Sequence, residues 1–211
     1  MIAVVDYGAG NLTSVARALE YIGKSCRVTD DPEILETASH VIFPGVGAAG
    51  DAMQNLRDRG LDQWIKQWFA SGKPLLGICL GTQVIFDYSE ENETPCLGLI
   101  PGRVKRFPPD MRHDGQALKI PHMGWNGVSF TRTHPVFTDV PAAAEFYFVH
   151  TYYPAPDAAN HVVGRTEYGI SFCSAVAVGN LVAVQFHPEK SGVPGLKILE
   201  NFCTWEGIDA E

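Results

Sequence analysis

The pentapeptide Gly77-Ile78-Cys79-Leu80-Gly81 limits the choice of fold more than any other part of this 211-residue chain. A helical pattern stops at Gly72 and Pro74, and the apolar run 75–78 then reads as a strand buried on both faces. Cys79 therefore stands at the carboxyl end of a sheet strand, on a sharp turn into a helix. A side chain presented on such a turn needs neighbours two positions away that lack Cβ atoms, which Gly77 and Gly81 supply. The turn aims a helix N-terminus at the sulfur, which favours thiolate, and offers the Leu80 N–H to a developing oxyanion. A buried structural cysteine explains the pentapeptide, taken alone, about as well.

Around this turn the first half alternates short β-branched runs with helical patterns, the mark of a parallel sheet covered by helices on both faces. Strands are expected at 2–6, 26–29, 41–43 and 75–78. Val15, Ala18, Leu19 and Ile22 recur at helical spacing and predict a helix over 11–23, with further helices at 51–59 and 61–71. In the second half, strand-like pieces at 103–107, 118–120, 127–130, 145–149, 161–166, 170–177 and 181–186 are separated by Gly, Pro and Asn, so antiparallel hairpins are expected. Gly179-Asn180 is a candidate hairpin turn, and Leu196, Leu199 and Phe202 place a closing helix over 195–205. The expected architecture is α/β: an open, mostly parallel sheet with helices on both faces, flavodoxin-like, with antiparallel additions in the C-terminal half. No repeat or linker interrupts the chain, so residues 1–211 are expected to form a single domain.

Composition narrows the partners. Lys and Arg number 16 against 24 Asp and Glu, for a net charge of −8, and general nucleic-acid binding needs the reverse balance. Arg103, Lys105 and Arg106 form only a local basic patch. Cys26, Cys79, Cys96, Cys173 and Cys203 are odd in number and far apart, without a CxxC, so neither a disulfide framework nor a metal site is expected. No apolar run approaches the ~18 residues of a membrane helix. The opening Met1-Ile2-Ala3-Val4-Val5-Asp6 lacks the basic start of a signal peptide, and a cytoplasmic protein is expected.

A thiolate nucleophile needs a proton shuttle, and the shuttle needs a third group to fix its tautomer. His187-Pro188-Glu189 follows directly on the strand at 181–186. In extended chain His187 and Glu189 project to one side, and Pro188 keeps helix from separating them. The other histidines carry less: His40, His113, His134 and His161 sit in turn-like or polar contexts, and His122 and His150 in aromatic-rich loops, where His150 and Tyr147 are cleft candidates. Pro44-Gly45-Val46-Gly47 ends the third strand on the same sheet edge and can turn a peptide N–H inward, although a plain strand-to-helix turn fits equally. Gly8-x-Gly10 with Asp30 and Asp31 downstream has part of a dinucleotide fingerprint, but Thr13 fills the third glycine position. A P-loop is absent, since Pro74 follows Gly72-Lys73.

Taken together, Gly77-Ile78-Cys79-Leu80-Gly81-Thr82-Gln83 and His187-Pro188-Glu189 resemble the class I glutamine amidotransferase family, whose triad is Cys, His and Glu on an open α/β sheet. Four further stretches resemble the branch that supplies the glutaminase subunit of imidazole glycerol phosphate synthase in histidine biosynthesis. They are Asp6-Tyr7-Gly8-Ala9-Gly10-Asn11, Pro44-Gly45-Val46-Gly47, Pro121-His122-Met123-Gly124-Trp125-Asn126 and Gln185-Phe186-His187-Pro188-Glu189-Lys190-Ser191. Thr82 departs from that branch, which usually has Met there, and bears on the packing beside the elbow.

The resemblance implies that Cys79 attacks the side-chain amide of glutamine, His187 moves the proton, and Glu189 orients His187. It implies oxyanion donors at Leu80 and at Val46 and Gly47, and substrate-binding roles for Gln83 and Gly45. No cofactor or metal is implied. The implied partner is a (β/α)8-barrel cyclase forming a heterodimer, with Asn11, Pro121, Met123, Trp125 and Lys190 as interface candidates and Trp125 as the aromatic anchor. Two other readings remain: a glutaminase serving another synthase, and a non-catalytic nucleotide-binding module on the same scaffold.

Overall fold

The computed structural model describes residues 1–113 and 115–208. Among them, an eight-stranded sheet runs in the order Ser129–Phe130, Val162–Glu167, Ser171–Val178, Leu181–Val184, Leu75–Cys79, His40–Gly45, Ile2–Val5, Cys26–Thr29. The strands from Leu181–Val184 onward are mutually parallel, in the chain order of a flavodoxin-like doubly wound sheet. The remaining three join antiparallel.

The sequence pattern accounts for the layers. Leu75–Cys79 and Leu181–Val184 are buried at every position, as strands covered on both faces must be. In Ile2–Val5 the side chains alternate: Ala3 and Val5 join one core, Ile2 and Val4 the other. The first core is closed by helices Ala49–Asp58 and Leu61–Ala70 through Met53, Leu56, Trp64 and Trp68; the second by Leu12–Tyr21 and Gly192–Phe202 through Val15, Leu19, Leu199 and Phe202. A four-stranded sheet, Tyr152–Pro156, Gly102–Arg106, Tyr88–Ser89 and Thr94–Pro95, and an antiparallel ribbon of His122–Gly127 with Glu145–His150 extend from this body. No described helix is long and apolar enough to cross a membrane.

The hairpin at Gly179-Asn180 forms as expected, with Val178 opposite Leu181. Three local expectations change. Residues 118–120 form no strand; Leu118 N–H bonds back to the Met111 carbonyl, and the chain enters Pro121, which lacks a donor. The run 127–130 is divided at Val128 between two sheets, and the closing helix begins at Gly192, its first turn accommodating Pro194. A short helix not expected from the sequence, Pro32–Glu36, is capped by the Asp31 carboxylate, which accepts from Glu33 N–H. That cap, with the Asp30–Arg59 ion pair, occupies both carboxylates of the dinucleotide-like pattern.

Candidate active site

Parallel register carries chemistry to one sheet edge. It sets Cys79 level with Gly45 on one side, and Gln185 follows Val184, the partner of Ile78, on the other. The elbow glycines have a steric cause: a Cβ on Gly81 would overlap the Phe43 carbonyl oxygen, and one on Gly77 would lie 2.8 Å from the Ala183 methyl. Cys79 takes φ 54°, ψ −106°, a conformation costing about 1–3 kcal/mol that the surrounding strands hold in place. The helix after it is one turn, Leu80–Gln83, too short to sum many peptide dipoles, so the expected helix effect on the sulfur is small. Thr82 fits this junction by donating its buried hydroxyl to the Val184 carbonyl at 2.6 Å.

His187 Nδ1 lies 2.8 Å from Glu189 Oε1, with both side chains 1% exposed or less. The same oxygen accepts from the Asn11 amide at 2.5 Å. The turn bearing them is pinned: His187 N–H donates to the Tyr147 carbonyl, and Ser191 Oγ donates to the His187 carbonyl at 2.6 Å. Burial opposes a charged imidazole here, but the Cys79 sulfur beside Nε2 and the Glu189 carboxylate on Nδ1 outweigh it, raising His187 to about 9. Nε2 has no hydrogen-bond partner among the described residues, and the sulfur's charge acts on the same ring.

In front of the sulfur lies a pocket of 290 Å³, lined by Val46, Gly47, Cys79, Leu80, Gln83, Glu91, Pro121, and residues 149–152. Gln83 uses its amide protons on the Tyr152 carbonyl, at 3.1 Å, and on Gln185 Oε1, at 3.0 Å, which leaves Oε1 as its free acceptor. Gln185 Nε2 in turn reaches Cys79 Sγ at 3.7 Å. The Glu91 carboxylate accepts from Ala49 N–H at 2.7 Å; burial pushes its pKa up, the Ala49 bond pulls it down, and Asp51 pushes it up. Gly45 is not among the lining residues: Tyr7 Oη occupies the place of its missing Cβ, and burial raises the Tyr7 phenol, with the Cys79 charge adding to the effect. Among the described residues no group of His, Cys, Asp and Glu could hold a metal ion.

Of the interface candidates, Met123 and Trp125 are 62% and 55% exposed on the ribbon. Pro121 is exposed at the pocket mouth, and Lys190 stands with Nζ 5.8 Å from the Tyr147 ring. Asn11 differs, since its amide turns inward to Glu189.

Elbow, imidazole–carboxylate pair and pocket thus meet on one edge of a flavodoxin-like sheet. The pattern of glutamine amidotransferase class-I matches residues 3–205. The chain belongs to this family. It is 49% identical, over 215 aligned positions covering all of both chains, to imidazole glycerol phosphate synthase subunit HisH of Nitratidesulfovibrio vulgaris. It is 48% identical over 208 positions to the subunit of the same name from Pseudomonas putida, covering 98% of each. Among solved structures, a glutamine amidotransferase superposes with a TM-score of 0.73 at 19% identity, over 96% of this chain and 100% of the other. PurLQS from Thermotoga maritima gives 0.72 at 19%, over 96% and 97%. At that identity the likeness concerns fold alone.

Further residues stand at this site. Gln185 was legible as the one polar side chain ending an apolar strand, and it contacts the sulfur. Glu91 had no local signal: it reaches the pocket from a turn of one 3₁₀ helix, Glu91–Glu93, against the N-terminus of Ala49–Asp58. Ser191, just before helix Gly192–Phe202, holds the His187 carbonyl with its hydroxyl.

Proposed function

We propose that this amidotransferase hydrolyses glutamine to glutamate and ammonia with Cys79, His187 and Glu189, and passes the ammonia to a (β/α)8-barrel cyclase subunit of imidazole glycerol phosphate synthase. The observation that carries this reading is a buried imidazole whose Nδ1 is locked by a carboxylate, whose Nε2 is unpartnered, and whose pKa the elbow sulfur raises.

Cys79 gives its proton to His187 Nε2, and the sulfur attacks the side-chain carboxamide carbon of glutamine. The Leu80 N–H, and the Val46 or Gly47 N–H once the Gly45–Val46 peptide turns inward, hold the oxyanion. When the tetrahedral adduct collapses, the C–N bond breaks and His187 returns the proton to the departing nitrogen, releasing ammonia and leaving a thioester. Water then gives a proton to His187 and attacks the thioester; glutamate departs and the proton returns to sulfur. Glu189 keeps Nδ1 as the protonated nitrogen throughout, and the Asn11 amide fixes the carboxylate. Glu91 and Gln83 Oε1 are two acceptors on the pocket wall, suited to the α-ammonium group of glutamine.

Ammonia freed into neutral water becomes ammonium and loses its nucleophilicity, so the reaction makes sense only with a synthase docked at the mouth. Exposed Met123 and Trp125 beside Pro121 suit such a partner, as does the 49% likeness to HisH subunits. The partner is held to control activity through the Gly45–Val46 peptide, and equal glutaminase rates with and without it would remove that idea. The test is Cys79→Ser in the complex with the cyclase. Synthesis from glutamine is expected to vanish while synthesis from added ammonia persists; parallel loss of both would overturn the reading.

A further inference from the structure

Two of the buried histidines that the chemistry above leaves without a task form a pair. His122 and His150 face one another across the ribbon, 2% and 5% exposed, in a cluster of Phe107, Phe148, Tyr168 and Phe172. Their protonation can be worked out bond by bond. His150 Nδ1 is 2.7 Å from the Tyr152 carbonyl oxygen, which only accepts, so Nδ1 carries the proton and Nε2 accepts. His122 Nδ1, 2.9 Å from that Nε2, must then donate. His122 Nε2 is left as an acceptor for the Asn126 amide at 3.3 Å, whose other proton goes to the Glu167 carbonyl at 2.9 Å.

The chain continues inward. The Tyr152 carbonyl takes a second bond from Gln83, Gln83 bonds Gln185, and Gln185 reaches the Cys79 sulfur. One proton arrangement satisfies every link from Asn126 to sulfur. Burial is the main force pushing His122 down to about 4 and His150 to about 3, so neither ring charges near neutral pH and reverses a donor. Apolar side chains would fill an aromatic cluster without the hazard of an unpaired polar atom, so a complete polar chain there points to a task other than stability. The ribbon strand that carries His122 inward carries Met123 and Trp125 outward.

The geometry points to His122 and His150 as positioning residues, a buried imidazole pair that fixes the amide orientations of Gln83 and Gln185 at the pocket and ties them to the strand bearing Met123 and Trp125. This inference rests on the glutaminase reading of the pocket. If the pair lets go, the Tyr152 carbonyl loses a donor and the Gln83 amide is free to turn, presenting protons where it presented an acceptor. Substrate binding suffers first, and the Gln185 contact to sulfur follows.

The test compares His122→Leu with His122→Asn in the heterodimer, reading glutamate release. Asn places Nδ2 where His122 Nδ1 stood, so it keeps the donor to His150, whereas Leu fills the space without one. Leu is expected to raise KM for glutamine by about tenfold or more, with a smaller fall in kcat, and Asn to recover most of the KM change. In the free chain, the ring N–H resonances of both histidines are expected to stay unchanged between about pH 5.5 and 8. KM values that Leu and Asn change equally, or leave alike at the wild-type level, would overturn the proposal, as would ring protons titrating in that range. Should Leu fail to fold, Asn126→Ala loosens only the outer link, and an unchanged KM there together with titrating ring protons overturns it too. If the wild-type heterodimer releases no glutamate, it is the glutaminase reading that fails, and the resonances still decide whether the imidazole chain exists.

Discussion

Glu189→Gln separates the charge of the carboxylate from its shape. A glutamine can accept from His187 Nδ1 and from Asn11 through the same Oε1, so the geometry survives while the negative charge goes. Both partners are 1% exposed or less, so solvent does not screen the loss. A hydrogen bond to a charged group contributes about 1.5–3 kcal/mol and a neutral one about 0.5–1.5, a difference of about 1–1.5 kcal/mol, or close to one pKa unit. His187, held at about 9 in the wild type against the pull of burial, is therefore expected to fall by about one unit or more. The assay is the pH dependence of kcat/KM for glutamate release by the heterodimer. The alkaline limb is expected to move down by about that unit, with about fivefold lower rate than wild type at its former midpoint. The sign for stability follows from linkage: a raised histidine contributes stability fully below the unfolded pKa of 6.5 and loses it as pH climbs through about 9. The difference in Tm between wild type and Glu189→Gln is thus expected to be larger at about pH 6 than at about pH 10. An alkaline limb that stays in place would refute the assignment of Glu189 as the charge that holds the imidazolium.

Other perturbations read other parts of the molecule. Gly81→Ala drives a Cβ into the Phe43 carbonyl, which is backbone and cannot swing away, so urea unfolding is expected to show a loss of about 3 kcal/mol or failure to fold. An alanine within about 0.5 kcal/mol of wild type would contradict the steric account of the elbow. The depressed pKa values of His122 and His150 mean that the unfolded chain takes up protons first on acidification; each pulls stability down, by up to about 2 kcal/mol, as pH drops from 6.5 to about 5. A wild-type Tm no more acid-sensitive than that of His122→Asn over this range would speak against it. Trp125→Ala is expected to weaken cyclase binding by about 2 kcal/mol, roughly thirtyfold, in calorimetry; unchanged affinity would move the interface elsewhere.

What the sequence disclosed and what it withheld divide along physical lines. Continuous apolar runs at 75–78 and 181–184 announce buried parallel strands, because strands covered on both faces leave no place for polar alternation. The elbow is local too: Gly77, Cys79 and Gly81 are two apart, and their constraint is steric. Pairing within His187-Pro188-Glu189 is equally short in range. By contrast, the meeting of Gln83 with Gln185 depends on the register of Leu75–Cys79 against Leu181–Val184, across 102 positions, and no window of sequence contains it. Glu91 and Asn11 reach the site from a 3₁₀ turn and a left-handed loop residue, conformations with little periodic signal. The His122–His150 pair was concealed by composition, since two histidines among aromatics read as packing until the bonds on each nitrogen are traced.

At the centre stands the claim that the Cys79 sulfur, relieved of its proton by His187, forms a covalent bond to the glutamine side chain. Acid-quenched mass spectrometry of the heterodimer during turnover measures this directly. A γ-glutamyl adduct confined to the peptide bearing Cys79, abolished in Cys79→Ser and scarce in His187→Ala, is the expected result. Steady glutamate production with no adduct on that peptide, or an adduct undiminished in His187→Ala, would contradict it.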